Sequence, residues 1–340
     1  MSFALCTMQS SLHRLKAPDG HQILVREWTP CDCDPQATIQ ILHGLGEHSG
    51  RYERFARACT AAGFAVVAHD HRGHGVIPSG EARGHFADTD GWRLLRDDSH
   101  LVAQDTVQRH PALPRILFGH SMGSFLAQGI IARWPADFDL LVLSGSTFPN
   151  RWHLRLGRAL AEEEILRLGA RVGSRFLGKV EFGEYNRHFS PNRTEYDWLS
   201  SDAEEVERYV ADPLSGGVFS GQLWLDLIRG VLDASKRELL NAIPSGFPIL
   251  ILGGTDDPVG GAHGLRRLYD AYLKTGHSDI TLLQYEAGRH EMLNERNRDE
   301  VTKDILDWLA SRNAPLSQME QRMPSREQSV GSNDGRVHRA

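Results

Sequence analysis

Three short stretches carry residue types that can do chemistry together. Gly119-His120-Ser121-Met122-Gly123 sets a serine between two flanking glycines. Asp256 and Asp257 lie in Gly253-Gly254-Thr255-Asp256-Asp257-Pro258, and His290 lies in Gly288-Arg289-His290-Glu291. A serine hydroxyl is a weak nucleophile until a base takes its proton, and an imidazole base works best when a carboxylate orients it. The G-x-S-x-G pattern holds its serine on a strained strand-to-helix turn, where larger neighbours would clash with the adjoining elements. Ser121 is therefore the expected nucleophile, and acyl transfer the expected chemistry.

Triads built on such a turn run in the chain order Ser, Asp or Glu, His. Two aspartates compete for the acid. Pro258 biases the residue before it toward extended backbone, which favours Asp257 and leaves Asp256 as a solvated turn residue. His290 follows the next apolar run and precedes the last helical stretch, as the base should. His277 is its rival, but it comes before that run. The oxyanion needs two amide donors. The Met122 N–H on the serine turn is one, and the Leu45 N–H in His43-Gly44-Leu45-Gly46 is the other. His43 is read as shaping that loop, and His120 as a packed neighbour of the serine. His69, His71 and His74 approach the H-x-H-x-D-H pattern of metallo-hydrolases, but Gly73 stands at the aspartate position. They read as turn contacts, with no metal expected.

These loops need elements to hold them. Gln22–Trp28, Ala37–Leu42, Phe64–Ala68, Arg115–Phe118, Leu140–Leu143, Ile249–Leu252 and Ile280–Gln284 read as strands. Helical runs alternate with them at Tyr52–Ala62, Gly91–His110, after Gly123, at Gly264–Lys274 and at Arg298–Ser311. Short continuous apolar runs alternating with helices predict a mainly parallel sheet covered on both faces. The alternation stops near Phe148 and resumes near Pro248. The reading is an α/β core in two parts, 1–147 and 244–314, with a helical cap over 148–243 and a disordered tail over 315–340. Leu223, Trp224, Leu227, Ile228, Val231 and Leu232 form one helical stripe in the cap. That stripe and the series Trp152, Leu156, Leu160 suggest an apolar underside able to receive an acyl chain, the alternative for each being packing of the cap on the sheet domain.

Composition agrees with a soluble enzyme. The chain has 340 residues, 40% apolar and 24% charged, with a net charge of −6, which argues against a nucleic-acid partner. Cys6, Cys31, Cys33 and Cys59 cluster near the N-terminus, with neither zinc spacing nor the spread of a disulfide framework. No signal-peptide pattern and no membrane-spanning apolar run is present, so a reducing cytoplasm is expected.

Together, His43-Gly44-Leu45-Gly46-Glu47-His48-Ser49-Gly50-Arg51-Tyr52, Asp70-His71-Arg72-Gly73-His74-Gly75 and the serine pentapeptide resemble the monoglyceride lipase and lysophospholipase group of α/β-hydrolases, often filed with the serine aminopeptidases. The resemblance spans about Gly20 to Arg312. It implies an eight-stranded, mostly parallel sheet with a helical cap inserted after the sixth strand, and no metal or organic cofactor. It supports Ser121, Asp257 and His290 as triad and Leu45 and Met122 as oxyanion donors, with Gly44, Glu47, His48 and Arg51 supporting. Some lipases of the group carry a second histidine three residues after the catalytic one, where this chain has Leu293. The function expected is hydrolysis of a carboxylic ester through an acyl-enzyme. The substrate expected is a small lipid-derived acyl ester, a monoacylglycerol or lysophospholipid. Carboxylates slightly outnumber cations in the cap, so it is no basic membrane patch, and peripheral membrane contact through it stays open. An aminopeptidase or amidase is the second enzyme reading. A ligand-binding homologue without activity is the third, and the intact Ser-Asp-His set argues against it.

Overall fold

The computed structural model describes residues 8–312, so Cys6 and the tail assigned to 315–340 lie outside the described residues. Eight strands form one sheet: β1 (Gln9–Lys16), β2 (Gln22–Thr29), β3 (Ala37–Leu42), β4 (Phe64–His69), β5 (Arg115–His120), β6 (Leu140–Ser144), β7 (Ile249–Gly254) and β8 (Ile280–Tyr285). Their order is β1-β2-β4-β3-β5-β6-β7-β8. β1 and β2 pair antiparallel, as do β2 and β4, and the strands from β4 to β8 are parallel.

Alternation along the strands makes two cores, because successive side chains point to opposite faces. On β5, Leu117 packs to one side with Leu126 and Ile130, while Ile116 and Phe118 pack to the other with Phe55 and Ile305. The helices that supply these partners are α1 (Glu53–Ala61), α2 (Gly91–Arg109), α3 (Met122–Arg133), α9 (Gly261–Lys274) and α10 (Arg298–Ala310). The strand that sequence patterning did not reveal is β1. It is a largely exposed edge strand, so neither face carries the apolar alternation that marks a buried one.

Five helices lie between β6 and β7: α4 (Arg151–Leu168), α5 (Arg175–Arg187), α6 (Ala203–Ala211), α7 (Gly221–Ala234) and α8 (Arg237–Ala242). Four start on side-chain caps that satisfy otherwise free amides: Asn150, Ser174, Asp202 and Ser220. On α7, Leu223, Trp224 and Val231 are buried and Leu227, Ile228 and Leu232 half-buried, with Leu223 in the core and Trp224, Leu227 and Ile228 facing a chamber above the sheet. The α4 series is corrected. Each four-residue step rotates about 40° around a helix. Leu160 therefore packs inward, Leu156 reaches only the chamber's rim, and Trp152 is 74% exposed beneath the Arg155 guanidinium. Among the described residues no helix is long and apolar enough to cross a membrane.

Candidate active site

Ser121 sits between the end of β5 and the start of α3 at φ 51°. A non-glycine residue there carries about 1–3 kcal/mol of backbone strain. The flanking glycines make the turn possible. A Cβ on Gly119 would stand 2.4 Å from the Gly123 carbonyl oxygen, and one on Gly123 only 2.1 Å from that of Leu42. The turn is also tied to the sheet, because Ser121 N–H donates to Ser144 O at 2.9 Å.

The three residues singled out in sequence come together. The Ser121 hydroxyl donates to His290 Nε2 at 2.8 Å. His290 Nδ1–H faces both Asp257 carboxylate oxygens, at 2.9 and 3.0 Å. A carboxylate can only accept, so this contact fixes the imidazole tautomer and leaves Nε2 as the proton acceptor. Asp257 is buried in the turn after β7, where its carboxylate also takes the Val259 N–H. Asp256 is exposed, and His277 lies elsewhere, against Tyr272.

Burial disfavours a charged His290, but the Asp257 carboxylate outweighs it, with Glu291 and Glu47 adding, and the imidazole is held above the ordinary histidine value. His120, with its ring 4.9 Å from that of His290, moves the other way. Burial and the neighbouring His290 push it down to about 4, so it is neutral. Trp198 covers a further face of His290 with its ring 5.0 Å away.

The Met122 N–H opens α3 and the Leu45 N–H sits in the loop after β3; among the described residues neither has a protein acceptor. A Cβ on Gly44 would stand 3.2 Å from Ser121 Cβ, so this loop faces the serine. His43 donates from Nδ1 to Gly44 O at 2.8 Å and accepts the His71 N–H on Nε2 at 3.0 Å. Both ring nitrogens are thus committed, and burial lowers its basicity. The Gly44 carbonyl belongs to the same peptide unit as the Leu45 N–H, so His43 fixes that plane. His69, His71 and His74 pack around His43, and Asp70 ties their loop by accepting from Ser49 and Val76.

Glu47 accepts the Gly44 N–H at 2.6 Å and the Tyr52 hydroxyl at 2.9 Å. Arg51 bridges Glu47 at 3.0 Å to Glu291, which it grips with two bonds of 2.6 and 2.7 Å. Burial opposes ionising Glu47, but Arg51 wins and its carboxyl falls to about 2. This ion set therefore links the loop of Leu45 to the loop of His290. Removing one partner of such a buried set costs about 3–5 kcal/mol. His48 donates from Nε2 to Asp212 at 2.7 Å, tying the same loop to the end of α6.

Sequence reasoning missed Glu291, Trp198 and Tyr209. Glu291 adjoins the catalytic histidine, but nothing local signals its pairing with a residue 240 positions away. Trp198 and Tyr209 come from the β6–β7 segment, which carries no motif.

The site opens into a chamber of about 1120 Å³. Leu154, Leu160 and Val180 from α4 and α5, and Trp224, Leu227 and Ile228 from α7, give it a largely apolar wall above Ser121.

Comparison with known proteins points one way. The Hydrolase_4 family, described as serine aminopeptidase, S33, matches residues 33–297. The chain is 32% identical to a monoacylglycerol lipase of Mycolicibacterium smegmatis, covering 88% of this chain and 97% of that one. It is 29% identical to human monoglyceride lipase, covering 89% and 91%. Among solved structures, a thermostable carboxyl esterase from Bacillus coagulans in complex with glycerol superposes with a TM-score of 0.82 at 27% identity, over 91% of this chain and all of that one. A soluble variant of the Saccharomyces cerevisiae monoglyceride lipase shares the fold, with a TM-score of 0.70 at 16% identity over 91% and 97%. With this match in family, relatives and architecture, the chain belongs to the Hydrolase_4 family of α/β-hydrolases and is an ester-hydrolysing serine hydrolase.

Proposed function

We propose that the enzyme hydrolyses single-chain acyl glycerol esters, monoacylglycerols first among them, through an acyl-enzyme on Ser121. The observation that carries this reading is the Ser121–His290–Asp257 relay opening directly into an apolar chamber. The names of the relatives from Mycolicibacterium smegmatis and human add the glycerol ester.

His290 takes the Ser121 proton as the oxygen attacks the ester carbonyl, and Asp257 stabilises the imidazolium that forms. The developing oxyanion is received by the Leu45 and Met122 amides, each worth about 2.7–4 kcal/mol in the transition state. His290 then protonates the departing glycerol oxygen, and water repeats the sequence on the acyl-enzyme. In this reading residues 148–243 act as a cap whose underside holds the acyl chain, while the core spans 1–147 and 244–314. Glu47, Arg51, His43, Gly44, His48 and His120 support the site without touching the reacting atoms.

An aminopeptidase needs a carboxylate free to pair with a substrate amine. Glu47 and Glu291, the buried carboxylates beside the triad, are both taken up by Arg51 and cannot serve, while Glu181 and Glu184 farther along the chamber wall have no cation partner among the described residues, so the aminoacyl amides belong in the test below. Exposed apolar side chains on α4 and α5 support peripheral contact with a lipid surface. Trp152, Leu156 and Leu166 on α4 and Phe176 and Val180 on α5 are exposed, with Arg151, Arg155 and Lys179 beside them. The cysteines Cys31, Cys33 and Cys59 are free thiols, which suits a cytoplasmic enzyme.

A substrate panel tests the proposal. Monoacylglycerols should be turned over with higher kcat/KM than lysophospholipids, short esters or aminoacyl amides. Preference for aminoacyl amides would overturn it.

A further inference from the structure

The loop of Leu45 is gripped from a direction that the sheet domain does not supply. The Gly46 carbonyl accepts the Tyr209 hydroxyl at 2.8 Å and the Gly216 N–H at 2.7 Å. Both donors belong to the β6–β7 segment: Tyr209 near the end of α6, Gly216 in the turn after it. The Gly216 N–H also reaches the Tyr209 hydroxyl at 3.1 Å, so the three groups close on one another.

We propose that Tyr209 is a positioning residue of the oxyanion hole: its phenol, by holding the Gly46 carbonyl, keeps the Leu45 backbone in place beside Ser121, while His43 fixes the plane of the Leu45 N–H. This rests on reading Leu45 as an oxyanion donor. Leu45 lies between two fixed peptide units. On one side the Gly44 N–H is held by Glu47, and on the other the Gly46 carbonyl is held by Tyr209. Both lines of contact end on one cluster, because the Arg51 guanidinium that holds Glu47 lies over the Tyr209 ring at 4.8 Å. Gly46 itself has φ 76°, and a Cβ there would stand 3.0 Å from the phenol oxygen. The loop conformation and the tyrosine are therefore built for each other.

The alternative is that the hydroxyl merely satisfies a buried polar group. That alternative ascribes no role to the target of the bond. The carbonyl it holds is one residue from the donor amide, where a shift of about 1 Å costs on the order of a hundredfold in rate. The segment that lines the substrate chamber thus also completes the catalytic loop. A displacement that carried both Tyr209 and Gly216 away would free the Gly46 carbonyl and relax the hole.

Tyr209→Phe in the full chain keeps the ring on Arg51 and removes only the hydroxyl. For a soluble aryl ester, kcat should fall about tenfold, with KM and the acid limb of the pH profile unchanged. An alkyl boronic acid that adds to Ser121 and places an oxygen in the hole should lose affinity by a similar factor. A role confined to stability would lower Tm and leave the boronate affinity alone. Asp212→Ala, run beside His48→Ala, is the second variant: Asp212 accepts from Leu214 N–H and Ser215 Oγ and so shapes the turn that delivers Gly216, and it also accepts from His48 Nε2, a contact that His48→Ala removes alone. Asp212→Ala should move both readouts the same way, by less than Tyr209→Phe but beyond what His48→Ala does alone. The inference is overturned if folded Tyr209→Phe, or folded Asp212→Ala where the first does not fold, keeps kcat and boronate affinity within about twofold of wild type. If Ser121→Ala instead retains esterase activity, the underlying reading of the site fails, and this inference with it.

Discussion

The floor of the site and the helical segment above it are built on different principles. On the floor, the triad and the side chains that support it are held by directed polar contacts. The triad, the His43 ring and the Glu47–Arg51–Glu291 set leave the Leu45 and Met122 amides without a protein acceptor among the described residues. Above it, α4, α5 and α7 offer broad apolar surface, part of it open to solvent. The contrast separates two tasks. Bond-making needs atoms fixed to fractions of an ångström. Holding a flexible acyl chain needs area and shape, spread over many interchangeable side chains. Tyr209 and Asp212 are where the two regions meet.

Mutations should break this contrast unevenly. Ser121→Ala should lower kcat on an aryl ester by roughly 10⁶ with substrate binding kept, as read by steady-state kinetics and by equilibrium binding of a non-hydrolysable analogue. Asp257→Asn should cost about 10⁴, because the imidazole loses the acceptor that fixes its tautomer. The neighbouring Asp256→Asn should stay within about twofold, and equal losses at the two positions would put the acid in the wrong place.

Glu291→Gln probes the electrostatics of the floor. His290 is held above the ordinary histidine value, so wild-type kcat/KM should fall as pH drops through a limb lying above about 6.5. Removing one of the carboxylates that raise it should shift that limb to lower pH. The same raised value has a stability counterpart. The stabilisation from protonated His290 is fully present below the unfolded value and is lost as pH rises through the folded one. Glu291→Gln should narrow that window, as followed by Tm against pH.

The helical segment should answer more softly. Ile228→Ala should lower kcat/KM for long-chain esters about fivefold while leaving short esters unchanged, a loss of about 1 kcal/mol of acyl contact. Trp152→Ala should be smallest on soluble ester, within about twofold, and should show its effect only in weaker flotation with lipid vesicles.

The same contrast decided what was legible. The floor is built from short motifs whose residue types have few alternative uses. Gly119, Ser121 and Gly123 could be read because the turn leaves no room for other side chains at the glycines. Asp257 was separable from Asp256 through Pro258, and the structure sets Asp257 on His290 and Asp256 in solvent. The parallel strands announced themselves by burial on both faces, whereas the exposed edge of β1 left no such trace. In the helical segment, residue type says little about direction. Trp152 shares helical spacing with Leu160 yet faces outward, because the stripe rotates off the packed face within two turns. Tyr209 and Glu291 act through partners far away in sequence, and no local pattern marks such pairings.

The central claim is that the acyl group of an ester is transferred to Ser121 as its alcohol leaves. Rapid acid quench of the enzyme with a p-nitrophenyl ester, followed by intact-mass and peptide mass spectrometry, tests it most directly. One acyl group should be found on the peptide carrying Ser121, formed in a burst that matches p-nitrophenol release and absent from Ser121→Ala. Turnover with no adduct at Ser121, or with the acyl group on another residue, would contradict the account.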